Sequence, residues 1–186
     1  MTIRLRRWLR CLLPVSMMLL TLSSHAEKGD KYKEIVATAG NSRADLKKNV
    51  LHLTQGVEIS QGSLVIKANN AVMSELSDGS TQYLLNGVSG TKMQFRQKMD
   101  GGNRWIEGEA EKATFNSTSG MVILTGDARV RNLDSGKVTQ EQNGEYLSYD
   151  TVNEVFVSAN STSGQHDASK PKVRIVIQSK LTPPAE

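Results

Sequence analysis

The stretch VILTGDARV, residues 122–130, decides which fold this chain is predicted to adopt. From Leu124 onward its residues alternate: Leu124, Ala128 and Val130 fall on one side, and polar residues fall on the other. A period of two is typical of a β-strand with one buried face and one solvent-exposed face. Nearly the same segment occurs earlier as LHLTQGVEI, residues 51–59. A chain that repeats a half-apolar strand is predicted to be a sheet protein whose apolar face must be covered.

The repeat extends along the chain. Four anchors share one pattern, in which an apolar residue is followed by a small polar residue and a small residue close behind. They begin at Leu53, Leu85, Leu124 and Val157, with spacings of 32, 39 and 33 residues. A two-strand unit of this size cannot bury its apolar face alone and must stack on a neighbour. The sequence therefore predicts an all-β fold of repeated strand units, with a sandwich, a jelly roll and a β-solenoid as alternatives.

Small residues occupy much of the apolar register. They are Ala37, Ala68, Ala110, Ala113, Gly126 and Ala128. A two-layer core needs larger side chains to reach native packing density. Two interpretations follow: a narrow, curved sheet in which small residues allow close approach, or an apolar groove filled by something other than protein.

The first 26 residues are predicted to form a secretory signal peptide. Four arginines precede a short apolar run, residues 12–22, and Ser24-His25-Ala26 has the form of a cleavage site, with cleavage after Ala26. The apolar run is shorter than the roughly 20 residues that a membrane-spanning helix needs. The predicted mature chain, residues 27–186, is a single domain. Its only cysteine, Cys11, leaves with the leader, so an exported protein without disulfides is expected, which suits a bacterial periplasm.

Removal of the leader also removes the excess positive charge. The chain has 23 lysines and arginines against 19 acidic residues, and four of the arginines lie in the leader, so 19 of each remain. The high isoelectric point therefore gives no support for nucleic-acid binding.

The sequence contains no familiar catalytic or metal-binding pattern. His52 and His166 are the only histidines after residue 26, and neither has a second histidine at ligand spacing. Nucleophile elbows, phosphate-binding glycine loops and zinc-protease motifs do not occur. Glu107, Glu109 and Glu111 could serve a glycosidase, but the wet face of a strand explains them more simply. The sequence predicts no enzyme, no metal and no cofactor.

Three runs together resemble one known family. They are NVLHLTQGVEISQGSLVIKANNAVM (49–73), WIEGEAEKATFNSTSGMVILTGDARV (105–130) and VRIVIQSKL (173–181). Through them the chain is similar to the LptA/OstA-like family of periplasmic lipopolysaccharide-transport proteins, over residues 35–181. The resemblance implies an open, V-shaped β-jellyroll of about sixteen short strands.

The resemblance also implies a function. Lipid A acyl chains would lie in an apolar groove while lipopolysaccharide is carried from the inner to the outer membrane. The implied partners are lipopolysaccharide, an LptC-like inner-membrane component, an LptD-like outer-membrane translocon and further copies joined head to tail. Family lipid contacts match Ile35, Phe95 and Phe115, and Ala37 stands where a larger aliphatic residue is usual. Alternation alone adds the other predicted groove-lining residues, for which core packing is an equal alternative: Leu53, Val57, Ile59, Ile66, Leu124 and Val130.

Two other functions stay open. An LptC-like bridge component would keep its N-terminal anchor, so a mature N-terminus at Glu27 distinguishes it. A periplasmic glycan-binding β protein would need an aromatic platform, and Trp105 is the only tryptophan after residue 26. The composition of STSGQHDASKP, residues 161–171, predicts a flexible connection before the last strand, and a flexible tail is expected at the C-terminus.

Overall fold

The computed structural model describes residues 29–30, 32–88, 90–150, 153 and 155–179. The predicted signal peptide with its cleavage site and the C-terminal tail from residue 180 lie outside these ranges. Within them the chain forms twelve antiparallel strands, and no helix is long and apolar enough to cross a membrane. The strands are β1 Ile35–Thr38, β2 Asn41–Asp45, β3 Val50–Gln61, β4 Leu64–Glu75, β5 Thr81–Asn86, β6 Met93–Met99, β7 Arg104–Ala110, β8 Lys112–Asn116, β9 Met121–Asp134, β10 Lys137–Asp150, β11 Val155–Ala159 and β12 Arg174–Ile177.

Four long strands, β3, β4, β9 and β10, each belong to two sheets. One half of each lies in sheet I, whose strand order is β2-β3-β4-β5-β8-β9-β10-β11. The other half lies in sheet II, with the order β1-β3-β4-β6-β7-β9-β10-β12. The long strands therefore tie the two sheets together along one line.

The repeated segment marks the point where the long strands bend. In β3, Gln55 and Gly56 lie opposite the single residue Asn69 of β4, with φ angles of 67° and 78°. In β9, Gly126 and Asp127 occupy the equivalent place, with φ angles of 79° and 41°. Two residues opposite one form a β-bulge, which bends a strand and increases its twist. LTQGVEI and LTGDARV are thus alike because each strand passes from sheet I to sheet II there, along what we call the bulge line.

The apolar faces of the two sheets pack against each other beside the bulge line. Sheet I contributes a row of leucines, and sheet II contributes a row rich in small residues. All belong to one contiguous cluster, and each is 5% exposed or less: Leu53, Leu85, Leu124, Leu147, Val57, Met93, Ala110 and Ala128. The inward direction predicted for Leu124, Ala128 and Val130 is confirmed. The alanines support the first interpretation of the small residues, because here they let two sheets come close together.

The all-β jellyroll expected from the sequence is confirmed, but the described strands number twelve rather than about sixteen. The four long strands are 12 to 14 residues long and continue through their bends. Counting their two halves separately restores sixteen. The difference arises because each long strand continues through its bend and is therefore counted once.

The loop after β11, whose composition predicted a flexible connection, contains hydrogen bonds to one buried side chain. Asn160 is buried at its start and donates from Nδ2 to the carbonyl oxygens of Asp167, at 2.6 Å, and Lys170, at 3.3 Å. Its Oδ1 accepts from the Asp167 amide at 2.8 Å. One buried amide thus organises the loop that leads to β12.

Candidate functional site

Apolar rows cross the inner face of sheet I, and their exposure rises with distance from the bulge line. The row beside that line, which contains Leu53, Leu124 and Leu147, is buried. One step outward lies a half-buried row in direct register across the strands, which we call the aromatic row. Its members are Leu51, Met73, Tyr83, Phe115, Val122, Tyr149 and Phe156.

The aromatic row contains two ring pairs. The centroids of Tyr83 and Phe115 are 5.6 Å apart, and those of Tyr149 and Phe156 are 4.2 Å apart in a stacked arrangement. Burial raises the pKa of Tyr83 above its ordinary value. The row is an apolar surface that rests on the core and is only partly covered by it.

A second apolar surface, buried at Ile59 and Val130 and half-buried at its other members, lies across sheet II. Ile59, Ile66, Phe95, Gly108 and Val130 form one row in register. A Cβ at Gly108 would lie 2.5 Å from the Phe95 ring and 2.8 Å from the Arg129 carbonyl oxygen. The Phe95 ring therefore covers the backbone of β7, which only glycine permits. We call this set the Phe95 row.

The ten predicted groove-lining residues fall into three groups. Ile66, Phe95 and Phe115 are half-buried on the inner faces, so they are accessible in part. Ile35 and Ala37 are exposed on β1, at the edge of sheet II. The remaining five are buried in the core cluster, so their contact with lipid stays a prediction that requires the sheets to separate: Leu53, Val57, Ile59, Leu124 and Val130.

The sequence prediction missed several members of the aromatic row. Leu51, Tyr83 and Val122 each lie two residues before a predicted or anchor leucine, and therefore on the same face. Alternation alone would have found these three. Met73 and Phe156 required the strand pairing, which places them opposite Leu51 and Tyr149.

The outer face of sheet II carries ion pairs instead. Glu107 lies 2.8 Å from Arg131 and 4.0 Å from Arg96, while Glu141 lies 3.3 Å from Arg129 and 3.5 Å from Arg174. A hydrogen bond from the Asn143 side chain, helped by Arg129 and Arg174, lowers the pKa of Glu141. Glu141 thus ties β12, through Arg174, to the centre of the sheet.

Replacing Glu141 by glutamine is expected to make the free energy of unfolding fall less steeply as the pH is lowered. A carboxyl whose folded pKa is lowered stabilises the fold above its unfolded pKa, and this contribution is lost as the pH falls through the folded pKa. The loss at pH 7 is expected to be only about 0.5–1 kcal/mol, because both arginines are more than a third exposed. Urea unfolding at pH 7 and at pH 3 measures both effects. Glu58→Gln is the control, since its pair with Lys67 is exposed on both sides; an equally steep fall in E141Q and the parent would contradict the assignment.

The two ends of the sheets are open. β1 and β2 form the N-terminal edges, and β11 and β12 form the C-terminal edges. Exposed aliphatic side chains lie on three of these edge strands: Ile35, Val36, Val155, Val157, Ile175 and Ile177. Unpaired strand edges with apolar side chains are templates for pairing with another chain. The described part of the chain holds no group of three or more His, Cys, Asp or Glu side chains placed to bind a metal ion.

Comparison with known proteins agrees with this geometry. The family described as "LptA/(LptD N-terminal domain) LPS transport protein" matches residues 36–155. The lipopolysaccharide export system protein LptA of Haemophilus influenzae is 32% identical over 135 residues, which is 73% of this chain and 75% of that protein. This chain belongs to the LptA/LptD N-terminal domain family.

Two further family members extend the comparison. The protein of the same name from Escherichia coli K12 is 26% identical over 127 residues, covering 68% of each chain. The crystal structure of LptH, the LptA-homologous periplasmic component of the lipopolysaccharide transport device of Pseudomonas aeruginosa, has the same fold. Its TM-score is 0.68 at 21% identity, and the match covers 81% of this chain and 99% of LptH. The names of these relatives describe lipopolysaccharide export or transport.

Proposed function

We propose that this chain binds lipopolysaccharide, with the lipid A acyl chains against the aromatic row and the Phe95 row, and carries it across the periplasm for outer-membrane assembly. The observation that carries the proposal is the pair of apolar rows, each with half-buried members, on facing sheets in a member of a lipopolysaccharide-transport family. Relatives named LptA favour this function over an LptC-like component or a glycan-binding protein.

The position of the rows suits transport better than storage. Each CH₂ group that leaves water contributes about 0.8 kcal/mol, so full enclosure of several acyl chains would hold the lipid too tightly to be passed on. A row that is only half-buried covers one side of an acyl chain and leaves the other side uncovered. The buried leucines beneath them keep the floor of the groove rigid and dry. Loose binding along a continuous apolar track then permits onward movement.

The open edges supply the proposed bridge. β12 and β11 of one copy would pair with β1 and β2 of the next, which extends each sheet and aligns the two rows from copy to copy. The same edges would meet an LptC-like component at the inner membrane and an LptD-like translocon at the outer membrane. We further propose that residues 1–26 direct export, are removed after Ala26 and leave a single periplasmic domain.

A photo-crosslinking amino acid in place of Phe115 is expected to form an adduct with lipopolysaccharide in cells, detected as a shifted band on a lipopolysaccharide blot. The reason is that Phe115 lies in the aromatic row and is only half-buried. The matched control is Thr114, its neighbour on β8, which points to the opposite face. The same substitution at Phe95 tests the facing row. Equal labelling at positions 114 and 115, or no adduct at either phenylalanine, would rule out acyl binding between the sheets.

A further inference from the structure

The outer face of sheet II holds a cavity of about 520 Å³, lined mostly by residues outside the two apolar rows. Its wall runs from Ser63, in the turn between β3 and β4, past Trp105 and Arg96 to Arg129 near the bulge line. Apart from Phe95 and Gly108, the lining residues of the strands belong to the outward-facing register. The cavity therefore lies on the opposite side of sheet II from most of the Phe95 row, and Phe95 and Gly108 are common to its lining and to that row.

Positive charge in this cavity is only partly neutralised. Glu107 and Glu141 are the two carboxylates that pair with the four arginines of this face. The lysines are matched separately, Lys67 by Glu58 and Lys92 by Glu109 and Asp127. Each guanidinium has five N–H donors, and the Nε of Arg129 is buried without a hydrogen-bond partner among the residues that the structure describes. The arginines thus have unused donors, and the cavity lining carries four cations (Lys67, Arg96, Arg129 and Arg131) against two carboxylates (Glu107 and Glu109), an excess of two positive charges.

Arg96 is the guanidinium best placed to take an external anion. Glu107 is committed to Arg131 at 2.8 Å and lies at 4.0 Å from Arg96, whose side chain is 55% exposed. The Arg96 guanidinium carbon lies 4.3 Å from the centroid of the Trp105 ring. The indole nitrogen of Trp105 donates to Asn103 Oδ1 at 3.0 Å, so the ring is held in place with its polar group satisfied. An aromatic ring, a weakly paired guanidinium and nearby carboxylates therefore lie side by side in this cavity.

That combination has the chemistry of an acidic saccharide site. Guanidinium groups bind phosphates and carboxylates through paired N–H donors. A fixed aromatic ring offers an apolar surface to a sugar ring, and Glu109 and Gln94 at the wall can bond its hydroxyl groups. We propose that this cavity binds the anionic saccharide part of lipopolysaccharide while the acyl chains lie between the sheets. This inference rests on the proposed function.

The test uses the mature chain and the acyl-free saccharide released from lipopolysaccharide, with its phosphates and sugar acids retained. Trp105 is the only tryptophan after residue 26, so tryptophan fluorescence, excited selectively over that of the four tyrosines, reports on this cavity. We expect saturable fluorescence change with the acidic saccharide, weakened by added salt, and at least tenfold weaker binding for a saccharide stripped of its phosphates and carboxylates. Inorganic phosphate alone should bind at least tenfold more weakly as well, because it makes no contact with the ring.

Single substitutions test whether the saccharide binds in this cavity. Arg96→Gln is expected to weaken saccharide binding at least tenfold and to fold normally, since the side chain is exposed. Arg104→Gln, on the same strand as Trp105 but outside the cavity, is the control and should bind as the parent does. Trp105→Ala, followed by calorimetry and checked for folding by circular dichroism, should also lose binding. No saturable binding of the acidic saccharide, or equal binding in R96Q and R104Q, would overturn the inference.

Failure of the saccharide inference and failure of the proposed function give different experimental results. If the Phe115 crosslink to intact lipopolysaccharide persists while the acyl-free saccharide does not bind, the outer cavity is not a saccharide site and acyl binding stands. If the saccharide binds but no crosslink forms at Phe115 or Phe95, the cavity belongs to a glycan-binding protein and acyl transport fails.

Discussion

Replacing Leu124 by alanine is expected to lower the free energy of unfolding by about 2–5 kcal/mol. Leu124 is 2% exposed and lies in register between Ala113 of β8 and Leu147 of β10. Paired strands on both sides fix its neighbours, so the structure cannot collapse into the space that the missing side chain leaves. Urea unfolding followed by circular dichroism measures the change from the shift of the midpoint at constant slope.

The Leu124 variant also decides whether this residue is core or lipid contact. Val155→Ala is the control, because Val155 is 51% exposed on an edge strand and its loss should cost about 0.5 kcal/mol or less. Below its melting temperature, L124A should still give the lipopolysaccharide adduct at Phe115, since the aromatic row is a separate row. A variant of nearly unchanged stability that no longer forms the adduct would show instead that Leu124 touches the lipid.

The sequence was enough to find the direction of most side chains. Leu53 and Leu124 point inward and Asp127 points outward as alternation predicted, because the period of two depends only on the local pleat. The repeated segment also marked the bend, although its physical meaning was hidden. Gln55 and Asp127 reveal no positive φ to a reader of the sequence, and only the pairing of two residues opposite one identifies a bulge.

The division between core and candidate lipid surface could not be predicted. Leu124 and Phe115 are both apolar and both inward, yet one is buried and the other half-buried. What separates them is distance from the bulge line, and this depends on which strands continue through their bends. For the same reason the small residues were ambiguous: Ala110 and Ala128 allow close packing because they lie beside that line, where the two sheets converge. Such contacts join residues that are far apart in the sequence, so the local order of apolar and polar residues does not reveal them.

A proline at Ile175 is expected to weaken end-to-end association of the chain at least tenfold, if β12 is the edge that receives the next copy. The Gln178 amide donates to the Thr139 carbonyl oxygen at 2.9 Å, so in this antiparallel pair the amides of Val176 and Gln178 face β10. The amides of Ile175 and Ile177 therefore face away from it, toward an added strand. Proline at Ile175 removes an outward donor and puts its ring in the way of the partner, while the bonds to β10 remain.

The matched control is a proline at Val176, one residue along the same strand. It removes a donor that faces β10, so β12 should detach and stability should fall, with association lost for a different reason. Sedimentation velocity over a range of concentrations measures association, and urea unfolding separates the two variants. I175P should be a stable monomer and V176P a destabilised one. Concentration-dependent assembly of I175P equal to that of the parent would exclude β12 as the joint and leave β11, on the other sheet, as the C-terminal edge through which copies connect.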